Sequence, residues 1–183
     1  MFVCSIISCF PDSIDQQPRA LPKLLMKWND PATSQKEELV FAINEMRECA
    51  RQGTSVKNAV VECIVRIAKV YGTDGRAEGE QTRTQRRASV SFILEAWGFA
   101  KKSSLGSKPW FTAEVAKNLR ALRANNECLE IALSLIPPSG KSRHQGALEE
   151  GLHAAVESRD QDSFELISDC LERSGFNSRG YYR

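Results

Sequence analysis

The segment SKPWFTAEVAKNLRALRANNECLEIALSLI, residues Ser107–Ile136, decides the fold class of this chain. Its key positions alternate in steps of four and three residues, which is the spacing of a helix packed against another helix. Two prolines follow directly, and proline ends a helix because it lacks the amide hydrogen. The pattern predicts one long helix over Ser107–Ile136. The seam positions are Val115, Leu119, Leu122, Asn126, Leu129, Leu133 and Ile136.

Asn126 occupies a seam position where the pattern calls for a hydrophobic residue. In coiled coils an Asn at such a position fixes the register and the oligomeric state. Leu119, Leu122 and Asn126 are therefore the candidate seam of a homo-oligomer. The alternative is that Asn126 is a solvated amide in a monomeric bundle, which the small number of heptads favours.

The flanking segments also have helical periodicity. Ser34–Glu37 is a capping box ahead of one apolar pattern, and the short connection 52–54 joins that helix to the next as a hairpin. A third helix is predicted over Thr82–Ala100, another over Ala147–Ser158, and a last one capped by Asp160. No segment alternates with the period of a strand. The sequence predicts an all-α protein, a compact bundle of about six helices with an irregular, proline-containing N-terminal arm.

The composition of the 183 residues is that of one globular domain, with 42% hydrophobic and 26% charged residues. The predicted organisation is an arm over residues 1–32, a helical domain over 33–175 and a flexible tail over 176–183. The chain contains no run of eighteen apolar residues, so no membrane span is expected. The six cysteines form no CxxC pair, which predicts free thiols, no metal site and a reducing location, the cytoplasm or the nucleus.

No catalytic motif stands out, and no cofactor is expected. Ser139–Ser142 resembles the end of a phosphate-binding loop, but Leu135 stands where that motif requires its first glycine. The predicted structure ahead of it is a helix rather than the strand that such a loop follows. We therefore expect a protein that is not an enzyme.

Charge is distributed unevenly along the chain, and this is the most informative feature for function. Residues 76–143 hold twelve Lys/Arg and six Asp/Glu, a net charge of +6, whereas residues 144–183 have a net charge of −4. Cations in the middle segment predict a basic strip for nucleic-acid phosphates, with Trp110 and Phe111 as stacking platforms for bases. The strip residues are Arg83, Arg86, Arg87, Lys101, Lys102, Lys108, Lys117, Arg120 and Arg123.

Two interpretations of this segment remain open. In the first, the protein self-associates and binds RNA or another nucleic acid through the strip. Small helical proteins of this kind occur among viral and regulatory RNA-binding proteins, which is an analogy only. In the second, Trp110 and Phe111 anchor the core, and the cations pair with the acidic C-terminal segment. The alternative function, from another class, is a helical adaptor that binds a protein partner through an apolar groove, with the charges forming only its surface.

Ser89 follows Arg86-Arg87-Ala88, a pattern that basophilic kinases recognise. A phosphate on Ser89 would add about two negative charges beside the arginines and weaken polyanion binding. Ser89 is therefore a candidate phosphorylation site.

Overall fold

The computed structural model describes residues 31–53, 58–73 and 80–176. These ranges contain seven α-helices and one 3₁₀ helix but no strand, which confirms the predicted all-α fold. The predicted arm and tail fall almost wholly outside the described residues. The helices are α1 (Pro31–Arg51), α2 (Asn58–Thr73), α3 (Glu80–Ala100), the 3₁₀ helix (Ser104–Ser107), α4 (Pro109–Ala121), α5 (Asn125–Ser134), α6 (Gln145–Ser158) and α7 (Gln161–Arg173).

The first two helices pack together, as the sequence predicts. Apolar residues of α1 on one face, Leu39, Ile43 and Met46, are buried in the core. Gly53 follows α1 with φ of 67°, a left-handed conformation that glycine adopts without steric cost. The predicted start of α1 is wrong, because the helix begins three residues before Ser34, at Pro31. Proline fits a first helical position, where no amide hydrogen is needed.

Helix α2 is the centre of the N-terminal half. It contacts α1, α3 and α4, and its residues Ile64, Val65 and Ala68 are buried. Outside the core, α1 and α3 are joined by Arg47, whose Nε and Nη2 atoms each donate a 2.7 Å hydrogen bond to a carboxylate oxygen of Glu95.

The predicted continuous helix over Ser107–Ile136 is wrong, because the chain breaks it into α4 and α5 at Arg123. The amide of Arg123 donates to the carbonyl of Arg120 at 2.8 Å, and the amide of Ala124 donates to the carbonyl of Leu119 at 3.0 Å. This pair of bonds is a Schellman motif, which requires a left-handed residue just past the helix end. Arg123 takes that conformation, with φ of 57°.

Helices α4 and α6 lie side by side and run in the same direction. Thr112 near the start of α4 is hydrogen-bonded to His144 just before α6, and Arg120 near the end of α4 bonds Glu150 and Glu157 along α6. Helix α5 returns the chain between them and packs closely on α6.

The last two helices form a hairpin with the predicted cap. Arg159 turns the chain with φ of 58°, and the Oδ1 atom of Asp160 accepts a 3.0 Å hydrogen bond from the amide of Ser163. That bond satisfies one of the free amides at the start of α7. Gly175, with φ of 82°, follows α7 as predicted.

Candidate functional site

The nine cations of the predicted basic strip lie on α3, on α4 and in the turns that follow each of these helices. Arg83, Arg86 and Arg87 are in α3, while Lys117 and Arg120 are in α4. The others lie between or just after the two helices: Lys101 and Lys102 after α3, Lys108 immediately before α4, and Arg123 at the break after α4.

Helices α3 and α4 run in opposite directions. At one end, the ring of Trp97 in α3 stacks on that of Phe111 in α4, with centroids 6.5 Å apart. At the other end, Gly72 of α2 lies against both helices: a Cβ atom built on it would be 2.5 Å from Leu122 Cδ2 and 2.7 Å from Ser89 Oγ. The two ends of the strip therefore lie at opposite ends of this helix pair.

This arrangement sorts the cations into two groups. We call Lys101, Lys102 and Lys108 the lysine end, and Arg83, Arg86, Arg87 and Arg123 the arginine end. The helical rise of 1.5 Å per residue places Lys101 about 20 Å along the α3 axis from Arg87. Lys117, exposed on α4, lies between the two groups.

Arg120 differs from the other eight cations because it is neutralised within the protein. Its Nε atom lies 2.5 Å from Glu150 Oε2, and its Nη1 atom lies 3.2 Å from Glu157 Oε1. The hydrogen bond to Glu150 raises the pKa of Arg120, and the charges of both glutamates add to that effect. For this residue the interpretation that cations pair with the acidic C-terminal segment is correct.

The other eight cations are open to a ligand. No carboxylate of the described residues lies within 4.0 Å of any of them, and all are exposed except Arg86, which is half-buried. Lys101 has an aromatic neighbour instead, with its Nζ atom 6.0 Å from the ring centroid of Trp97. Such a set of positive charges without a carboxylate partner attracts polyanions.

The two candidate stacking residues have different environments. Phe111 is 1% exposed and belongs to the core, so its ring is closed to a base and that part of the prediction is wrong. Trp110 is 50% exposed and meets Phe111 edge-on, with centroids 5.8 Å apart and an interplanar angle of 84°. One stacking platform therefore remains, and it lies at the lysine end.

The candidate oligomer seam does not form a surface. Leu119 and Leu122 are buried inside the bundle, whereas Asn126 is exposed in α5, beyond the break. The prediction of a seam through these three residues fails because it required one unbroken helix. Self-association by another surface stays a prediction.

The candidate phosphorylation site is also contradicted. Ser89 is fully buried where α2 approaches α3, and its Oγ atom has no hydrogen-bond partner among the residues that the structure describes. A kinase cannot reach a hydroxyl in the core of a folded bundle, and a phosphate would not fit beside Gly72.

Two further cations, Lys141 and Arg143, are distant from α4 in sequence but lie on a loop that the fold places beside the start of α4. The Nδ1 atom of His144 lies 2.9 Å from the Oγ1 atom of Thr112, which places the 141–144 loop beside the start of α4. Burial, and then the charge of Arg143, lower the pKa of His144. No sequence signal marks this contact, because 32 residues separate its two partners.

Two cysteines, Cys63 and Cys128, are buried in the core. Burial raises the pKa values of Cys63 and Cys128 to about 12, so both thiols are protonated and unreactive at neutral pH. No three His, Cys, Asp or Glu side chains of the described residues are grouped to hold a metal ion. Within the same ranges, every helix is too short or too polar to cross a bilayer.

Comparison of the chain with protein-family models, with curated proteins and with solved structures finds no match.

Proposed function

We propose that this protein binds RNA through the basic strip and acts as a binding protein rather than a catalyst. The observation that carries the proposal is the set of eight strip cations that have no carboxylate partner among the described residues. They lie on two antiparallel helices and the turns next to them, so the spacing of their backbone positions is set by the fold.

The physical basis is the release of counterions. Each phosphate neutralised by a Lys or Arg frees condensed cations, so the logarithm of the affinity falls with the logarithm of the salt concentration, by about 0.7 per contact for a single strand. A strip that uses most of its eight cations should therefore show a slope of about −4 to −6. Removing three of them should reduce the steepness of that slope by about 2.

The test is fluorescence anisotropy of a labelled 20-nucleotide RNA over a series of salt concentrations. We expect the Arg83/Arg86/Arg87→Ala variant to bind more weakly than the wild type and with the shallower slope. The matched control is Arg51/Arg66/Arg159→Ala, which removes the same formal charge from exposed positions outside the strip. Circular dichroism of both variants checks that they keep the helical fold.

Two results would refute the proposal. The first is no binding of the wild type at low salt. The second is an equal loss of affinity in both triple variants, because net charge alone would then explain binding. Either result would turn attention to the adaptor interpretation, although the five exposed large hydrophobic residues of the described ranges lie on five different helices: Val40, Val70, Trp110, Val156 and Leu166.

Self-association is a separate part of the proposal. The acidic C-terminal segment of one copy complements the basic strip of another, so nucleic acid should compete with assembly. Light scattering with and without RNA measures this. A mass that corresponds to one chain at every protein concentration would exclude it.

A further inference from the structure

We infer that the ligand of the strip is single-stranded, with a base stacked on Trp110 and the neighbouring phosphates held by Lys108, Lys141 and Arg143. This inference rests on the proposed function and names the form of nucleic acid that the surface accepts.

The first observation in favour of this inference is the packing of the Trp110 side chain. Half of this side chain is exposed, yet its indole is held edge-on against Phe111, which is buried and stacked on Trp97. The backbone beneath it is the first turn of α4, fixed by the amide of Thr112 donating to the carbonyl of Lys108 at 3.2 Å. The exposed aromatic surface is therefore ordered before binding, which reduces the entropy lost when a base stacks on it.

The second support is the position of the 141–144 loop. Two contacts hold the loop and the start of α6 beside the start of α4: the bond of His144 to Thr112, and the close approach of Gly146 in α6 to Ala113, where an added Cβ atom would come within 2.9 Å of the Ala113 Cβ atom. The loop is also anchored at its other side, because the amide of Ser142 donates a 2.9 Å hydrogen bond to the Oγ atom of Ser174.

Cations from two separate parts of the chain therefore lie near the start of α4, where this tryptophan stands. Lys108 precedes it by two residues, and the loop brings Lys141 and Arg143, both exposed and without an ion pair to any described residue. We call Lys108, Trp110, Lys141 and Arg143 the stacking corner.

This combination selects a single strand for a chemical reason. A tryptophan face flanked by cations offers stacking to a base and ion pairs to its phosphates. In a duplex the base faces are covered by their neighbours, so a duplex can use the cations but not the indole. Loss of one stacked base lowers affinity by about 5-fold to 150-fold, which is the range measured for aromatic platforms.

The experiment compares three ligands of equal length and label: a single-stranded RNA, the same RNA as a duplex, and an abasic ribose-phosphate strand that keeps every phosphate. We expect the wild type to bind the single strand at least about ten times more tightly than the abasic strand. Trp110→Ala should remove that difference, and Trp110→Phe should keep most of it. Lys141→Gln/Arg143→Gln should weaken binding of the single strand and the abasic strand alike.

The matched control is Leu166→Ala, which removes a large hydrophobic side chain of similar exposure, 53% against 50%, from α7. It should leave all three affinities unchanged. If Trp110→Ala behaves like this control while Arg83/Arg86/Arg87→Ala loses binding, the inference is wrong and the proposed function stands. Equal wild-type affinity for the three ligands would overturn the inference in the same way. If no ligand binds, the proposed function itself fails.

Discussion

Helices α5 and α6 approach each other so closely at Gly151 that a single methyl group there should destabilise the fold. A Cβ atom built on Gly151 would lie less than 3.0 Å from the Cβ atom of Ala132 and 3.3 Å from Ile167 Cδ1. Neither Cβ atom can move by rotating a side chain, because both are attached directly to helix backbones. Gly151→Ala must therefore push α5 and α6 apart.

Two opposing contributions set the size of the effect. Alanine is favoured over glycine in a helix interior by about 1 kcal/mol. Overpacking of a well-packed core costs about 1–3 kcal/mol, and an unyielding contact belongs at the upper end of that range. We expect Gly151→Ala to lower the free energy of unfolding by about 2 kcal/mol.

Gly98 provides a control of opposite sign. It lies inside α3, and a Cβ atom added there meets no heavy atom within 4 Å. Gly98→Ala should raise the free energy of unfolding by about 1 kcal/mol, since only helix propensity acts. Urea unfolding followed by circular dichroism at 222 nm measures both variants. Adding Ala132→Gly to Gly151→Ala should recover part of the loss by removing the facing methyl group. The close approach would be refuted if the Gly151→Ala variant were as stable as the Gly98→Ala variant. It would also be refuted if the double variant recovered none of the lost free energy of unfolding.

Three further predictions concern single side chains. Arg123→Gly and Arg159→Gly should each raise the free energy of unfolding by about 1 kcal/mol, because both arginines hold a left-handed conformation. Only Arg123→Gly should weaken RNA binding in the anisotropy assay, because only Arg123 belongs to the strip. Arg120→Ala should lower the free energy of unfolding in urea by about 2 kcal/mol, because it leaves the part-buried carboxylate of Glu150 without its charged partner. The pKa of His144 is lower in the folded chain than in the unfolded chain, so the unfolded state binds more protons as the pH drops below about 6.5. The free energy of unfolding should therefore fall in that pH range. His144→Asn should reduce this fall, which urea titrations at several pH values measure.

Each of these has a clear contrary result. A loss of stability in both glycine variants would show that the left-handed turns do not strain the arginines. An Arg120→Ala variant that loses RNA affinity but no stability would place that guanidinium in the strip after all. Identical pH dependence in the wild type and His144→Asn would mean that another group is responsible.

Much of the fold follows from local sequence signals. The cap at Asp160 and the glycines that end α1 and α7 work as their residue types predict, because capping and left-handed turns are local properties of the chain. The break at Arg123 uses the same Schellman geometry as Gly175 but with an arginine in the left-handed position. Since arginine usually continues a helix, the sequence could not show that break.

The candidate site was predictable only in part. The cations and Trp110 stand out in the sequence, but the pairing of Arg120 depends on α6 lying parallel to α4. The burial of Phe111 depends on Trp97, which faces it across the bundle. The position of Arg143 near the start of α4 depends on the hydrogen bond between His144 and Thr112. These are contacts between distant parts of the chain, which periodicity and local composition do not encode.

The sequence separation between helices that contact each other affects how fast the chain folds. Every pair of helices with extensive contacts is either consecutive or separated by a single helix. Little loop entropy is lost in closing such contacts, and domains of this kind fold on the order of milliseconds or faster. The N-terminal helices α1, α2 and α3 find their main partners in one another, so this half can form its contacts while the C-terminal half is still being synthesised. The α2–α4 contact, strengthened by the buried hydrogen bond from Asn118 to the carbonyl of Val65, joins the second half to the first.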